Sequence, residues 1–253
     1  MNKSITRKFA PAILIVSVFV FWELFCLLAG ISELILPRPT RILAAFFEYA
    51  PAIRPHAWQT LYTTLVGFVF GVAIGLSLGI LIGSSKLAYD TAYPLLVGIS
   101  SIPKVAVVPI FVLWFGAGTV PAILTAMIIC IFPIVVNVST GIATVEPELE
   151  DVMRSLKASR WEILWNVGLP RSMPYFFASL KVAITLSFVG SVIAETVASN
   201  KGIGNMMLIA SSSFNVPLVF SGLMILAVMG ISLYAIFSVI ERRMAGWALR
   251  KSQ

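Results

Sequence analysis

The chain of 253 residues is 59% hydrophobic and 11% charged, and carries a formal net charge of +7. That balance excludes a soluble globular domain and describes an integral membrane protein. It also excludes a nucleic-acid footprint, because the basic residues gather between apolar segments instead of forming one patch. Cys26 and Cys130 each sit inside an apolar run, where neither a disulfide framework nor a metal site is expected.

Taken in order, six stretches reach the roughly 20 apolar residues needed to cross a hydrocarbon core about 30 Å thick; they are residues 10–30, 59–83, 88–114, 119–143, 174–197 and 218–240. The predicted fold class is therefore all-α, six membrane-spanning helices in a single domain over 1–253. It comprises an N-terminal span at 10–30, a core at 59–240 and a polar loop at 144–173 between spans four and five. The opening MNKSITRKFA looks like the start of a signal peptide, but the apolar run behind it is too long for an h-region and no A-x-A site follows. It reads as an uncleaved first span, with Glu23 its one charge. Leu36-Pro37-Arg38-Pro39-Thr40 marks a proline turn, after which Ile42, Ala45, Phe46 and Tyr49 share one face of an interfacial helix. The third stretch is interrupted by Ser100-Ser101-Ile102-Pro103-Lys104, with Pro109 and Gly116-Ala117-Gly118 beyond. This predicts a helix broken near mid-membrane, where broken backbone is tolerated only against protein or a water-filled cavity. Neither an internal repeat nor a low-complexity segment is apparent.

Orientation follows from lysine and arginine. With a cytoplasmic N-terminus, that side receives Lys3, Arg7, Lys8, Lys86, Arg154, Lys157, Arg160, Arg171, Arg242, Arg243, Arg250 and Lys251, and the other receives Arg38, Arg41, Arg54 and Lys201. The asymmetry places both termini and the 144–173 loop in the cytoplasm.

Within that loop Leu149, Val152, Met153 and Leu156 fall at i, i+3, i+4 and i+7, one narrow apolar stripe on a helix with Asp151, Arg154 and Ser155 on its flank. Pro147 suits the first turn, the acids Glu146, Glu148, Glu150 and Asp151 suit the N-terminal dipole, and Lys157 suits the far end. Ser159 followed by Glu162 is a capping box, so the turn Lys157-Ala158-Ser159 joins two short helices, the second opening on Arg160. Two readings are open: a helix that docks on a partner, or a solvated loop helix.

The same residues carry a resemblance. Asp151-Val152-Met153, three residues, Lys157, nine residues, then Val167-x-Leu169-Pro170 is similar to the cytoplasmic loop of ABC-importer permeases, whose pattern is E-A-A-x3-G-x9-I-x-L-P. The spacing matches throughout. The serious departure is Lys157 in place of glycine, since glycine adopts the left-handed conformation freely and lysine only with strain, so the turn or the partner contact is expected to differ. Leu36-Pro37-x-Pro39, Ile102-Pro103-Lys104-x-Ala106-x-x-Pro109, Trp114-Phe115-Gly116, and Glu195 with Gly202-Ile203-Gly204 resemble the nitrate, sulfonate, taurine and thiamine-precursor branch of these permeases.

No metalloprotease, nucleophile-elbow or P-loop motif occurs, and the one histidine, His56, falls in a predicted external loop, so catalysis by this chain is not expected. A membrane-embedded hydrolase using Ser191 and Glu195 lacks a nearby base. Ionisable residues within spans mark a path or a pair. Lys181 is expected to snorkel toward the headgroups. Lys104 either faces the path, suiting passage of an anion, or pairs with Glu195 near the outer end of span five. Asn137, Ser139, Ser187 and Ser191 offer neutral polar contacts, or serve close helix packing. The candidate translocation residues are thus Ser100, Ser101, Pro103, Lys104, Asn137, Ser191 and Glu195; the candidate coupling residues are Leu149, Asp151, Val152, Met153, Leu156, Lys157, Ala158, Ser159 and Arg160.

What the resemblance implies is a type I permease in the inner membrane of a bacterial cell, paired with a second permease chain, most simply a copy of itself. Two cytoplasmic ATPase subunits would hold the ATP and magnesium, this chain binding no cofactor or metal, and a periplasmic or lipid-anchored binding protein would deliver a small anionic or polar solute. The rival from another class is a membrane scaffold or channel whose loop binds a different cytoplasmic partner.

Overall fold

The computed structural model describes residues 3–245, with side chains described from Ala10 onward; Arg250 and Lys251 of the orientation count lie outside the described residues, and the side chains of Lys3, Arg7 and Lys8 outside the described side chains. Regular structure among the described residues is entirely helical. In chain order it comprises α1 (Lys3–Leu28), α2 (Pro39–Glu48), α3 (Ala50–Gly83), α4 (Lys86–Ser100), a 3-10 turn (Lys104–Val107), α5 (Val108–Phe115), α6 (Thr119–Ala143), α7 (Pro147–Ser155), α8 (Arg160–Ile163), a π turn (Leu164–Gly168), α9 (Leu169–Ala198), α10 (Ile203–Ser212) and α11 (Val216–Met244). Four of these (α1, α3, α6 and α11), together with the continuous α8–α9 unit, are long and apolar enough to cross a membrane. The sixth span is a bent pair, Lys86–Ser100 and Lys104–Phe115 meeting at 78°. Helices are what hydrocarbon allows, since every backbone donor and acceptor must be satisfied internally.

Proline stands in the first two positions of α2, α3, α5, α7, α9 and α11, where its missing N–H has no intrahelical partner to lose. Six of the 14 prolines thus mark helix starts, whereas Pro11, Pro55, Pro94, Pro133 and Pro174 lie inside helices. Pro103, flanking the 3-10 turn, is where the third span breaks.

The core is built from α3, α6 and α9. Helices α3 and α6 meet along Gly67, Gly71, Gly75, Gly79 and Gly83, which face Ala126, Cys130, Ile134, Val138 and Ile142 in turn. A methyl group at Gly67 would lie 2.6 Å from the Ala126 Cβ, and one at Gly79 2.7 Å from the Val138 Cβ. Only glycine lets two backbones approach so closely. Phe68, Ile134, Leu180, Ile184, Phe188 and Leu233 fill the apolar cluster that joins this seam to α9 and α11.

The remaining elements are attached by specific polar contacts. Glu23, the one charge in the first span, accepts the Thr40 N–H at 3.0 Å and the Thr40 hydroxyl at 2.8 Å, so a carboxylate from α1 caps the start of α2. Ile42 and Ala45 of α2 are buried, and the Ser221 hydroxyl of α11 donates to the Ile42 carbonyl at 2.8 Å. The predicted interfacial helix is thus seated on protein along one face. Lys181 is paired: its ammonium is 2.6 Å from the Glu241 carboxylate, tying α9 to α11.

Candidate functional site

Three polar places stand out against the apolar frame. The first is the loop between α6 and α9. Glu148 and Glu150 lie in the first turn of α7, and Arg154 pairs with Glu150 at 3.0 Å one turn on. Along the stripe Leu149 and Met153 are half-buried, while Val152 is 58% and Leu156 72% exposed. Asp151, Lys157, Ser159 and Arg160 are exposed and Ala158 is half-buried. Lys157 has a φ of 63°. Its N–H donates to the Arg154 carbonyl at 2.9 Å, and that of Ala158 to the Met153 carbonyl at 3.0 Å, the two reverse bonds of a Schellman ending. The expectation that lysine would alter this turn is not met: the left-handed geometry is kept, at a backbone cost of about 1–2 kcal/mol. Ser159 then caps α8, its hydroxyl accepting the Glu162 N–H while Glu162 accepts the Ser159 N–H at 2.7 Å. The π turn carries α8 into α9, and Arg171 reaches back to Glu146 at 3.2 Å. Between the two arms lies a hollow of about 270 Å³ lined by Leu149, Asn166, Val167, Pro170 and Arg171.

The second place is the break between α4 and α5. Ser101 and Pro103 are exposed there, and Ser100 and Lys104 half-buried. The Lys104 ammonium donates to the Ser100 carbonyl at 3.0 Å and stands 5.2 Å from the centroid of the Phe132 ring on α6. Further along α6, half-buried Asn137 donates to the Pro133 carbonyl at 2.8 Å, and the Tyr89 hydroxyl meets that of Thr140 at 3.1 Å.

The third is a buried junction at the end of the bundle away from α7. Glu195, 0% exposed, accepts the Thr60 hydroxyl at 2.7 Å, the Thr63 hydroxyl at 3.2 Å and the Gly204 N–H at 3.3 Å. Ser191 hydrogen-bonds Thr63, and the Ile203 N–H donates to Thr60 at 2.8 Å. The His56 Nδ1 lies 3.1 Å from the Gly202 nitrogen. A carboxylate thus sits at the N-terminus of α10, where the helix dipole favours negative charge. Gly202 adopts a φ of 113°, and a Cβ there would collide with the Glu195 carboxyl.

These positions correct the pairing considered between Lys104 and Glu195. Ala194 packs with Ala122 in the first turn of α6, whereas Lys104 stands over Phe132, ten residues further along that helix and so roughly 15 Å deeper. Ser191 and Glu195 occur inside the contact of α3, α9 and α10, apart from Ser100 and Lys104 at the break and from Asn137 on α6. The partners Thr60 and Thr63 went unnoticed in the sequence, although polar residues three apart within an apolar run are a usable signal.

Comparison with known proteins adds identity to this geometry. A family model described as "Binding-protein-dependent transport system inner membrane component" matches residues 71–246. The riboflavin transport system permease protein RibX of Chloroflexus aurantiacus is 31% identical, the match covering 90% of this chain and 86% of that protein. The putative aliphatic sulfonates transport permease protein SsuC of Bacillus subtilis is 30% identical over 94% of this chain and 85% of that one. Formylaminopyrimidine transport permease protein ThiX of Halalkalibacterium halodurans is 27% identical over 96% of each. Among solved structures, the inward-facing MetNI methionine ABC transporter superposes with a TM-score of 0.66 at 19% identity, over 76% of this chain and 95% of that one, a likeness of fold. The chain belongs to the family of binding-protein-dependent transport system inner membrane components, the non-enzymatic membrane subunits of ABC importers whose ATPase is a separate chain.

Proposed function

We propose that this chain works with a second permease chain, a copy of itself, to form the membrane path of an ATP-driven importer in the bacterial inner membrane, both termini cytoplasmic. Six spans enclose little polar lumen alone, which supports the pairing. Two cytoplasmic ATPase subunits hold ATP and magnesium, and a periplasmic or lipid-anchored binding protein supplies a small polar or anionic solute. The observation that carries the reading is α7, a helix whose stripe is left open at Val152 and Leu156 and whose end is locked by the left-handed Lys157. Open apolar residues on a charged loop have a physical reason if a partner covers them. On this reading the ATPase seats Leu149, Val152, Met153 and Leu156, with Asp151, Ala158, Ser159 and Arg160 at the rim, and its movement reaches α9 through Leu169-Pro170. Met153→Asp tests it, because an unpaired carboxylate in an apolar contact costs several kcal/mol. The variant should lose the co-purifying ATPase; retention of both the ATPase and its solute-stimulated hydrolysis at the wild-type level would refute the reading.

A further inference from the structure

At the depth of Phe132, in the middle of the 25-residue helix α6, an ammonium group has few physical options. It cannot face hydrocarbon, where a charge at the centre is strongly disfavoured, and the nearer end of α6, Ala143, lies roughly 16 Å away at 1.5 Å per residue, beyond the reach of a lysine side chain. No carboxylate pairs with it among the described residues: the ion pairs there involve Glu33, Glu146, Glu150 and Glu241, and Glu195 is satisfied by hydroxyls and a backbone N–H. The contacts Lys104 does make, the Ser100 carbonyl and the Phe132 face, bring no counter-charge and use one of three N–H donors. Beside it the backbone breaks at Pro103, between α4 and the four-residue 3-10 turn Lys104–Val107. A cation with donors to spare at a mid-membrane break supplies the charge and the hydrogen-bonding capacity that a negative group requires.

Resting on the importer reading, we propose that Lys104 is the subsite for the negative group of a small anionic solute, a carboxylate, sulfonate or inorganic oxyanion, held at the break between α4 and α5 as it crosses. The proposal requires that water reach exposed Ser101 and that the potential there be positive. Both requirements can be read without knowing the solute. Ser101→Cys is introduced into the full-length chain in native membranes and labelled with the anionic ethylsulfonate methanethiosulfonate or its cationic trimethylammonium counterpart, each rate being normalised to that with a small thiol in solution. Cys26 and Cys130 are buried, and the chain without the new cysteine supplies the background.

A fixed cation in a confined site raises the local concentration of counter-ions about tenfold or more, so the normalised anionic-to-cationic ratio should be about 10. It should fall to about 1 in Lys104→Met and persist in Lys104→Arg. Absence of labelling by either reagent, or a ratio unchanged by Lys104→Met, overturns the proposal. Should Lys104→Met not accumulate in the membrane, the lysine-containing form decides alone, a ratio near 1 overturning and one near 10 supporting. Co-purification of an ATPase is scored separately, so a chain with the charge-selective ratio and no ATPase would sink the importer reading while supporting the anion subsite.

Discussion

Gly71 is the sharpest test of what holds the bundle together. A Cβ built there overlaps the Cys130 sulfur, and lies 3.0 Å from the Met127 carbonyl oxygen and 3.6 Å from the Met127 Cα. In water Gly→Ala within a helix gains about 1 kcal/mol of propensity. Here that gain is absent, because α3 stays helical in the bilayer whether or not it is packed. What remains is overpacking, about 1–3 kcal/mol. Cys130→Ala alone removes one buried heavy atom, about 1 kcal/mol. In the double variant the new methyl occupies the volume the sulfur leaves, and only the Met127 oxygen must yield a few tenths of an ångström. The singles together should therefore cost about 2–4 kcal/mol and the double about 1 kcal/mol or less, a favourable coupling of about 1–3 kcal/mol. The assay is the fraction of monodisperse protein recovered from detergent after heating, where each kcal/mol moves the midpoint by about 2–4 °C for a chain of this size. A neutral Gly71→Ala, or a double variant that costs as much as the singles together or more, would refute the claim that glycine spacing sets the α3–α6 approach.

Three further outcomes follow from named contacts. Lys157→Gly keeps the left-handed turn and removes its strain, so it should stabilise the α7 ending by about 1 kcal/mol, whereas Lys157→Val should weaken it; equal protease sensitivity of the loop in both variants would contradict this. Lys181→Met leaves the Glu241 carboxylate buried without its partner and should cost up to about 3 kcal/mol, most of it recovered by adding Glu241→Leu; a double variant no more heat-stable than the single would contradict the pairing. Glu195→Gln replaces an acceptor oxygen by an NH2 group among the donors Thr60, Thr63 and Gly204, and should lower heat stability by about 1–3 kcal/mol. Thr60→Val should act in the same direction, and an unchanged midpoint in both would remove the junction from the account.

How much of this was legible in the sequence depended on how local the physics is. The six spans, the broken third one, the proline turn before α2, the Ser159–Glu162 capping box and the stripe on α7 all arise from residues within one or two turns of each other, and each is present. The turn at Lys157 was half legible. Its place followed from spacing, but lysine argued against the left-handed conformation, and the two backbone bonds to Arg154 and Met153 hold it there nonetheless.

Contacts between distant segments were another matter. Lys181 reads as a snorkelling lysine because nothing near it in sequence is acidic; Glu241 reaches it only once α11 has packed against α9. Lys104 and Glu195 looked like a pair because they are opposite charges carried by apolar spans, yet depth along different helices is not comparable until the helices are aligned, and aligned they are separated by ten residues of α6. The glycine period at 67, 71, 75, 79 and 83 is a local pattern, but a row of small residues does not say which helix it receives. Its meaning lies in the Ala126, Cys130, Ile134, Val138 and Ile142 row, which has the same four-residue period. Two matching periods on neighbouring spans specify both the partner and the register, because sliding α6 by one or two residues would rotate its facing row away from the glycines and oppose unmatched side chains.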